Sequence, residues 1–184
     1  MASILLDLSD YIFWNNLVHL SHFNSADSKE ILSLLHACVH IPSWCNAIVQ
    51  QRPFISIDAL LDVARQQSQT WTWAEIEEAL ATHPKIGEKK AKKVLSEQET
   101  QFSDREQAGV QQDATTQQAL LDANIAYEEK FGFIFLIKAS GLSSEDILNN
   151  LHSRLNNPLT TEKNIVKEQL AAIALLRLSQ GVQA

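Results

Sequence analysis

The sequence predicts an all-α protein, a single domain over residues 1–184 made of about eight to ten helices. Serine, threonine and aspartate recur just ahead of segments whose apolar residues return every three or four positions, the pattern of capped amphipathic helices. Only 5 glycines and 4 prolines punctuate 184 residues, too few for the closely spaced turns of an all-β fold. An apolar fraction of 45% and a charged fraction of 20% suit one well-buried core, and the length does not accommodate two ordinary domains with a linker.

Taken in order, a first helix is expected over Asp10 to His22. A second follows Ser25-Ala26-Asp27-Ser28 and carries Ile31, Leu32, Leu34 and Leu35. Pro42 suits the first turn of a third, which Arg52-Pro53 ends. Ser56 to Gln69 places Ile57, Leu60, Leu61 and Ala64 on one side. Thr72 with Glu75 forms a capping box for a helix that turns Trp73, Ile76 and Leu80 inward and delivers the chain to His83. Lys89 to Glu99 is expected to be a charged helix, with a new one starting at Ser103, whose partner in a second capping box is Glu106. Asp113 to Phe131 forms a longer helix closed by Gly132. The apolar run Phe133–Ile137 is a buried helix or an extended segment, because periodicity does not separate the two. Ser143-Ser144-Glu145-Asp146 opens a helix to about Asn156, and Thr160-Thr161-Glu162 opens the last, which ends before Gly181. In that last helix Val166, Leu170 and Ile173 make an apolar stripe that Arg177 continues.

A net charge of −7 and a pI near 5.3 argue against nucleic acid and anionic membranes as partners. The basic run Lys89-Lys90-Ala91-Lys92-Lys93 reads as a solvated helix face. Two cysteines, Cys38 and Cys45, make no disulfide framework, which points to reduced thiols in a cytoplasm. Neither a leader nor a membrane span is expected.

Chemistry concentrates between Thr82 and Gln107. His83 lies before Pro84, which biases it away from helical geometry. It reads either as a general acid or base or as a turn histidine bonding backbone. Glu106 can orient that imidazole or bind substrate N–H groups, or it can simply complete its capping box; Gln107 beside it both donates and accepts. Arg177 either snorkels from the last turns of its helix or contacts an anion or carbonyl in a pocket. His36, Cys38, His40 and Cys45 raise a metal question, but Cys38 among Leu34, Leu35 and Val39 reads as a small core residue, and the expectation is no metal.

Five motifs follow in order: Cys38 and Trp44 with Arg52-Pro53-Phe54; His83-Pro84-x-Ile86-Gly87; Ser103-x-x-Glu106-Gln107-Ala108-Gly109; Phe131-Gly132-Phe133-x-Phe135; and Leu176-Arg177-Leu178. Together they resemble the OHCU decarboxylase family, whose members decarboxylate 2-oxo-4-hydroxy-4-carboxy-5-ureidoimidazoline (OHCU) to allantoin in urate breakdown. The resemblance implies an all-helical homodimer with no cofactor and no metal. It places the catalytic histidine on His83, and substrate contacts on Pro84, Ser103, Glu106, Gln107, the segment holding Phe135, Ile137 and Ala139, and Arg177. Glu106 is further expected to assist His83 in catalysis. Ile134 stands where the family often has proline, and Lys138 where it is commonly apolar. Two other readings of the same residues are a helical protein-interaction module and a hydrolase or isomerase of a related ureido compound.

Overall fold

The structure is a computed structural model and describes residues 17–83, 85–86, 97–106 and 114–184. Among these residues it is all-helical apart from one strand pair, β1 (Val18–His19) and β2 (Val182–Gln183). The nine helices are α1 (Leu20–Ser25), α2 (Ser28–Cys38), α3 (Pro42–Gln50), α4 (Ile57–Ser68), α5 (Trp73–Thr82), α6 (Glu97–Glu106), α7 (Ala114–Phe131), α8 (Ser144–Arg154) and α9 (Leu159–Gly181).

Local chemistry sets most of these boundaries. The Asp27 carboxylate accepts from Lys29 N–H at the start of α2, and Ser56 Oγ accepts from Ala59 N–H at the start of α4. Complete capping boxes open α5, from Thr72 and Glu75, and α8, from Ser143 and Asp146. Pro42 sits in the first turn of α3. Gly132 closes α7 at φ 81°, a conformation in which a side chain would be strained.

Helix α9 is the spine. It packs against α2, α4 and α5, while α2, α3 and α4 pack in succession and α7 lies on α8. Val166, Leu170, Ile173 and Arg177 are all buried on α9, as the stripe in the sequence predicts. Trp44 is 1% exposed, donates its indole N–H to Ala64 O at 2.8 Å and meets Trp71 edge-on, which ties α3 to α4 and the turn beyond it.

Three expectations are corrected. Val18 and His19 do not continue a helix: they pair in parallel with Val182 and Gln183, and α1 begins only at Leu20. Residues 10–16 of the expected first helix lie outside the described residues. Ser103 does not begin a helix, because α6 is already under way at Glu97, so Ser103 and Glu106 both lie within α6. The helix-forming residues from Glu97 to Gln101 carry α6 through the serine, and a Ser-x-x-Glu spacing has no capping role inside a continuing helix. Finally, α9 includes Gly181. Segment 133–138 is irregular, with Phe133, Phe135, Leu136 and Ile137 buried, so the run is not the buried helix of the first alternative. The expected helix over Lys89 to Glu99 falls outside the described residues as far as 96. No helix among the described residues is long and apolar enough to cross a membrane.

Candidate active site

The centre of the site is an arginine fork. From the buried face of α9, Arg177 donates Nε–H to Glu106 Oε1 at 2.6 Å and Nη2–H to Oε2 at 2.8 Å, so both carboxylate oxygens are held by one planar guanidinium. The two side chains are 5% and 10% exposed. Arg177 Nη1 also faces the carbonyls of Cys38 at 3.4 Å and Ala37 at 3.5 Å, the last residues of α2, whose carbonyls lack helical partners. The Phe102 ring lies 5.8 Å from the guanidinium carbon. Arg177 is therefore a buried cation joining the end of α2 to Glu106 of α6, which decides against the snorkelling alternative.

His83 caps the C-terminus of α5 in extended geometry, φ −80° and ψ 136°, and its backbone N–H reaches Leu80 O at 3.1 Å. Burial first, and the Arg177 charge second, hold its imidazole down at about 3 from an ordinary 6.5. His83 keeps part of its surface open, and its ring is neutral at pH 7. Because the folded value lies below the unfolded one, the unfolded chain binds the extra proton between about pH 3 and 6.5, and this contribution to stability falls as pH drops through that window. One proton is worth at most about 1.4 kcal/mol per pH unit. Urea unfolding free energies should thus fall more steeply from pH 7 to pH 5 in the wild type than in His83→Asn. Parallel slopes would contradict a neutral buried imidazole.

The structure brings Arg177 and Glu106 into contact and puts His83 within the field of Arg177. Glu106 is paired with the guanidinium, not held at the imidazole. Pro84 and Gln107 lie outside the described residues, and Ser103 is placed only as a backbone position inside α6. Phe135, Ile137 and Ala139 are 1%, 7% and 3% exposed. The Phe135 ring packs edge-on to Tyr127 and under the Arg154 guanidinium at 4.6 Å, so its side chain belongs to the core behind segment 133–139.

Both thiols are free and buried. Burial raises Cys38 well above the ordinary thiol range despite the Arg177 charge, and raises Cys45 to about 12. The His36 and His40 rings lie 5.3 Å apart between centroids, tilted by 44°, with His36 Nδ1 at 3.7 Å from Cys45 Sγ, and His36 is lowered by burial and then by His40. No group of three or more possible metal ligands converges among the described residues.

One constellation escaped the sequence reading. Glu162 is fully buried and accepts from Tyr127 Oη, from Arg154 Nε at 2.7 Å and from Asn157 Nδ2 at 2.7 Å. Arg154 in turn donates Nη1–H to Leu136 O at 2.8 Å. Burial and the Glu162 hydrogen bond push the Tyr127 phenol far above its ordinary value, which keeps it a donor. Glu162 in the first turn of α9 and Arg154 in the last turn of α8 read as ordinary complements to helix dipoles, so their mutual burial had no local signal.

Residues 24–179 match the family model for OHCU decarboxylase. The chain belongs to the OHCU decarboxylase family. It is 32% identical over 154 residues to the uric acid degradation bifunctional protein TTL of Arabidopsis thaliana, covering 78% of this chain and 44% of that protein. It is 26% identical over 168 residues to the uric acid degradation bifunctional protein of Bacillus sp. (strain TB-90), covering 89% of this chain and 32% of that protein. The chain thus spans a third to under half the length of these two relatives. The 2-oxo-4-hydroxy-4-carboxy-5-ureidoimidazoline decarboxylase of Haloferax volcanii is 25% identical over 144 residues, covering 77% of this chain and 82% of its own. The fold is shared with a crystal structure of OHCU decarboxylase in the presence of (S)-allantoin, at a TM-score of 0.66 and 22% identity over 84% of this chain and 96% of that one. It is also shared with (S)-allantoin synthase, at 0.66 and 19% over 90% and 54%.

Proposed function

We propose that this OHCU decarboxylase family member converts 2-oxo-4-hydroxy-4-carboxy-5-ureidoimidazoline to (S)-allantoin and CO₂ in urate catabolism. The observation that carries the reading is the buried Arg177–Glu106 fork beside a histidine held neutral, in a chain whose family is defined by this reaction.

The substrate carries its carboxylate on C4, next to the ring C5=N bond. When the C4–carboxyl bond breaks, its electron pair forms C4=C5 and the imine electrons move to nitrogen. Loss of the C4 hydroxyl proton and protonation at C5 and nitrogen then complete allantoin. The electron sink is the substrate's own, so the reaction is proposed to run without cofactor or metal. Neutral at pH 7, His83 keeps a ring lone pair free to take the C4 hydroxyl proton as charge moves into the ring, and the anionic substrate would offset the Arg177 charge that lowers its basicity. Glu106 has both oxygens fixed by Arg177, so its remaining lone pairs are aimed in advance at ureido or ring N–H groups; Ser103 and Gln107 are proposed to share that task. A cation gripping the departing carboxylate would oppose its loss, and this favours Arg177 acting through Glu106 or on ring and ureido oxygens.

Pro84 and the segment bearing Phe135, Ile137 and Ala139 are proposed to close the pocket. Exclusion of water by that wall would confine proton delivery to one face of C5. We further propose a homodimer in a cytoplasm. To test the activity, OHCU is generated from urate by the two preceding enzymes of the pathway, and its decay is followed with and without this protein. Accelerated decay with stoichiometric CO₂ release is expected. Accelerated decay without CO₂ would favour the hydrolase or isomerase reading, and an unchanged rate the interaction module.

A further inference from the structure

Segment 133–138 belongs to no helix or strand, so its backbone groups have no ladder to fix them. Two neighbours of Ile137 are nevertheless held by side chains from other elements. Arg154 at the end of α8 donates Nη1–H to Leu136 O at 2.8 Å, and Gln169 on α9 accepts from Lys138 N–H at 2.9 Å. Arg154 is itself locked, with Nε and Nη2 on Glu162 at 2.7 and 2.6 Å and its face over Phe135 at 4.6 Å. A buried Arg–Glu pair is a poor device for stability alone, since apolar residues of like volume often serve as well. What apolar residues lack is direction, and the outward bond of this network is the one to Leu136.

Glu162, Gln169 and Arg177 all stand on α9, the last two separated by eight residues, about 12 Å of helix. One rigid element therefore sets both the segment and the arginine fork. We propose that Arg154, Glu162 and Gln169 are positioning residues that hold segment 135–139 at the substrate, in register with Arg177 and Glu106. This rests on the reading that the segment contacts substrate. A displacement of about 1 Å at such a wall can cost on the order of a hundredfold in rate.

The test compares kcat and KM on enzymatically generated OHCU for wild type, Gln169→Ala, Gln169→Glu, Arg154→Lys and Ser56→Ala, with thermal melts of each. Gln169→Ala should melt near the wild type yet lose about tenfold in kcat/KM, and Gln169→Glu, which keeps an acceptor, should recover most of it. Arg154→Lys keeps a positive charge for Glu162 but cannot serve Leu136 O in parallel, so a loss of about 10- to 100-fold is expected. Ser56→Ala gives up the cap of α4, whose hydroxyl bonds Ala59 N–H, so it should lower the melt and leave kcat/KM unchanged. Wild-type kcat/KM in Gln169→Ala and in a folded Arg154→Lys would overturn the proposal; if Arg154→Lys does not fold, Gln169→Ala decides. An inactive wild type would instead strike the proposed function, whereas an active wild type with indifferent variants strikes the positioning role alone.

Discussion

His83→Asn is expected to lower kcat by about 10² to 10⁴, the range set by loss of a positioned general base, while leaving the fold intact. Asparagine is polar, suits the extended helix-end geometry of position 83 and retains the backbone N–H bond to Leu80, so helix α5 keeps its end. What disappears is a ring that burial and Arg177 keep unprotonated at neutral pH. If His83 acts in the chemical step, kcat and kcat/KM fall together and KM changes little. Steady-state kinetics with a circular dichroism check of helicity decides the matter. A folded variant with wild-type kcat would remove His83 from the mechanism.

Arg177→Met is expected to be costly twice over. It strands the Glu106 carboxylate, 10% exposed, without its fork, and breaking one side of a buried ion pair typically costs about 3–5 kcal/mol. For a domain of this size that corresponds to a fall in Tm of roughly 6–20 °C. Activity should fall as well, because the carboxylate is no longer fixed in one orientation. Removing the second charge in Arg177→Met with Glu106→Gln should recover part of the stability and none of the activity, since the repaired core still lacks an oriented acceptor. Urea unfolding of both singles and the double variant measures this. An Arg177→Met unfolding free energy within about 1 kcal/mol of the wild type would mean the pair is not buried as described.

Sequence legibility followed the range of the interactions. Asp27, Ser56, Thr72 and Ser143 were readable as caps because each bonds to an N–H two or three residues away. Arg177 was readable as an interruption of an apolar stripe, but its partner 71 positions earlier was not. Ser103-x-x-Glu106 misled because a local signature is the same string at a helix start and inside a continuing helix. Val18 and His19 were drawn into a helix because their strand partners lie at the far end of the chain. The Arg154–Glu162 network was invisible since each residue alone resembles an ordinary helix-end charge, and segment 133–138 was ambiguous because its order comes from side chains on α8 and α9.

The most direct test of the central claim is the optical activity of the product. OHCU formed in situ from urate is given to this protein, and allantoin is followed by circular dichroism. Stereospecific decarboxylation predicts rapid growth of the (S)-allantoin signal in the wild type and its loss in His83→Asn. Slow appearance of racemic allantoin, at the same rate with and without the protein, would contradict it.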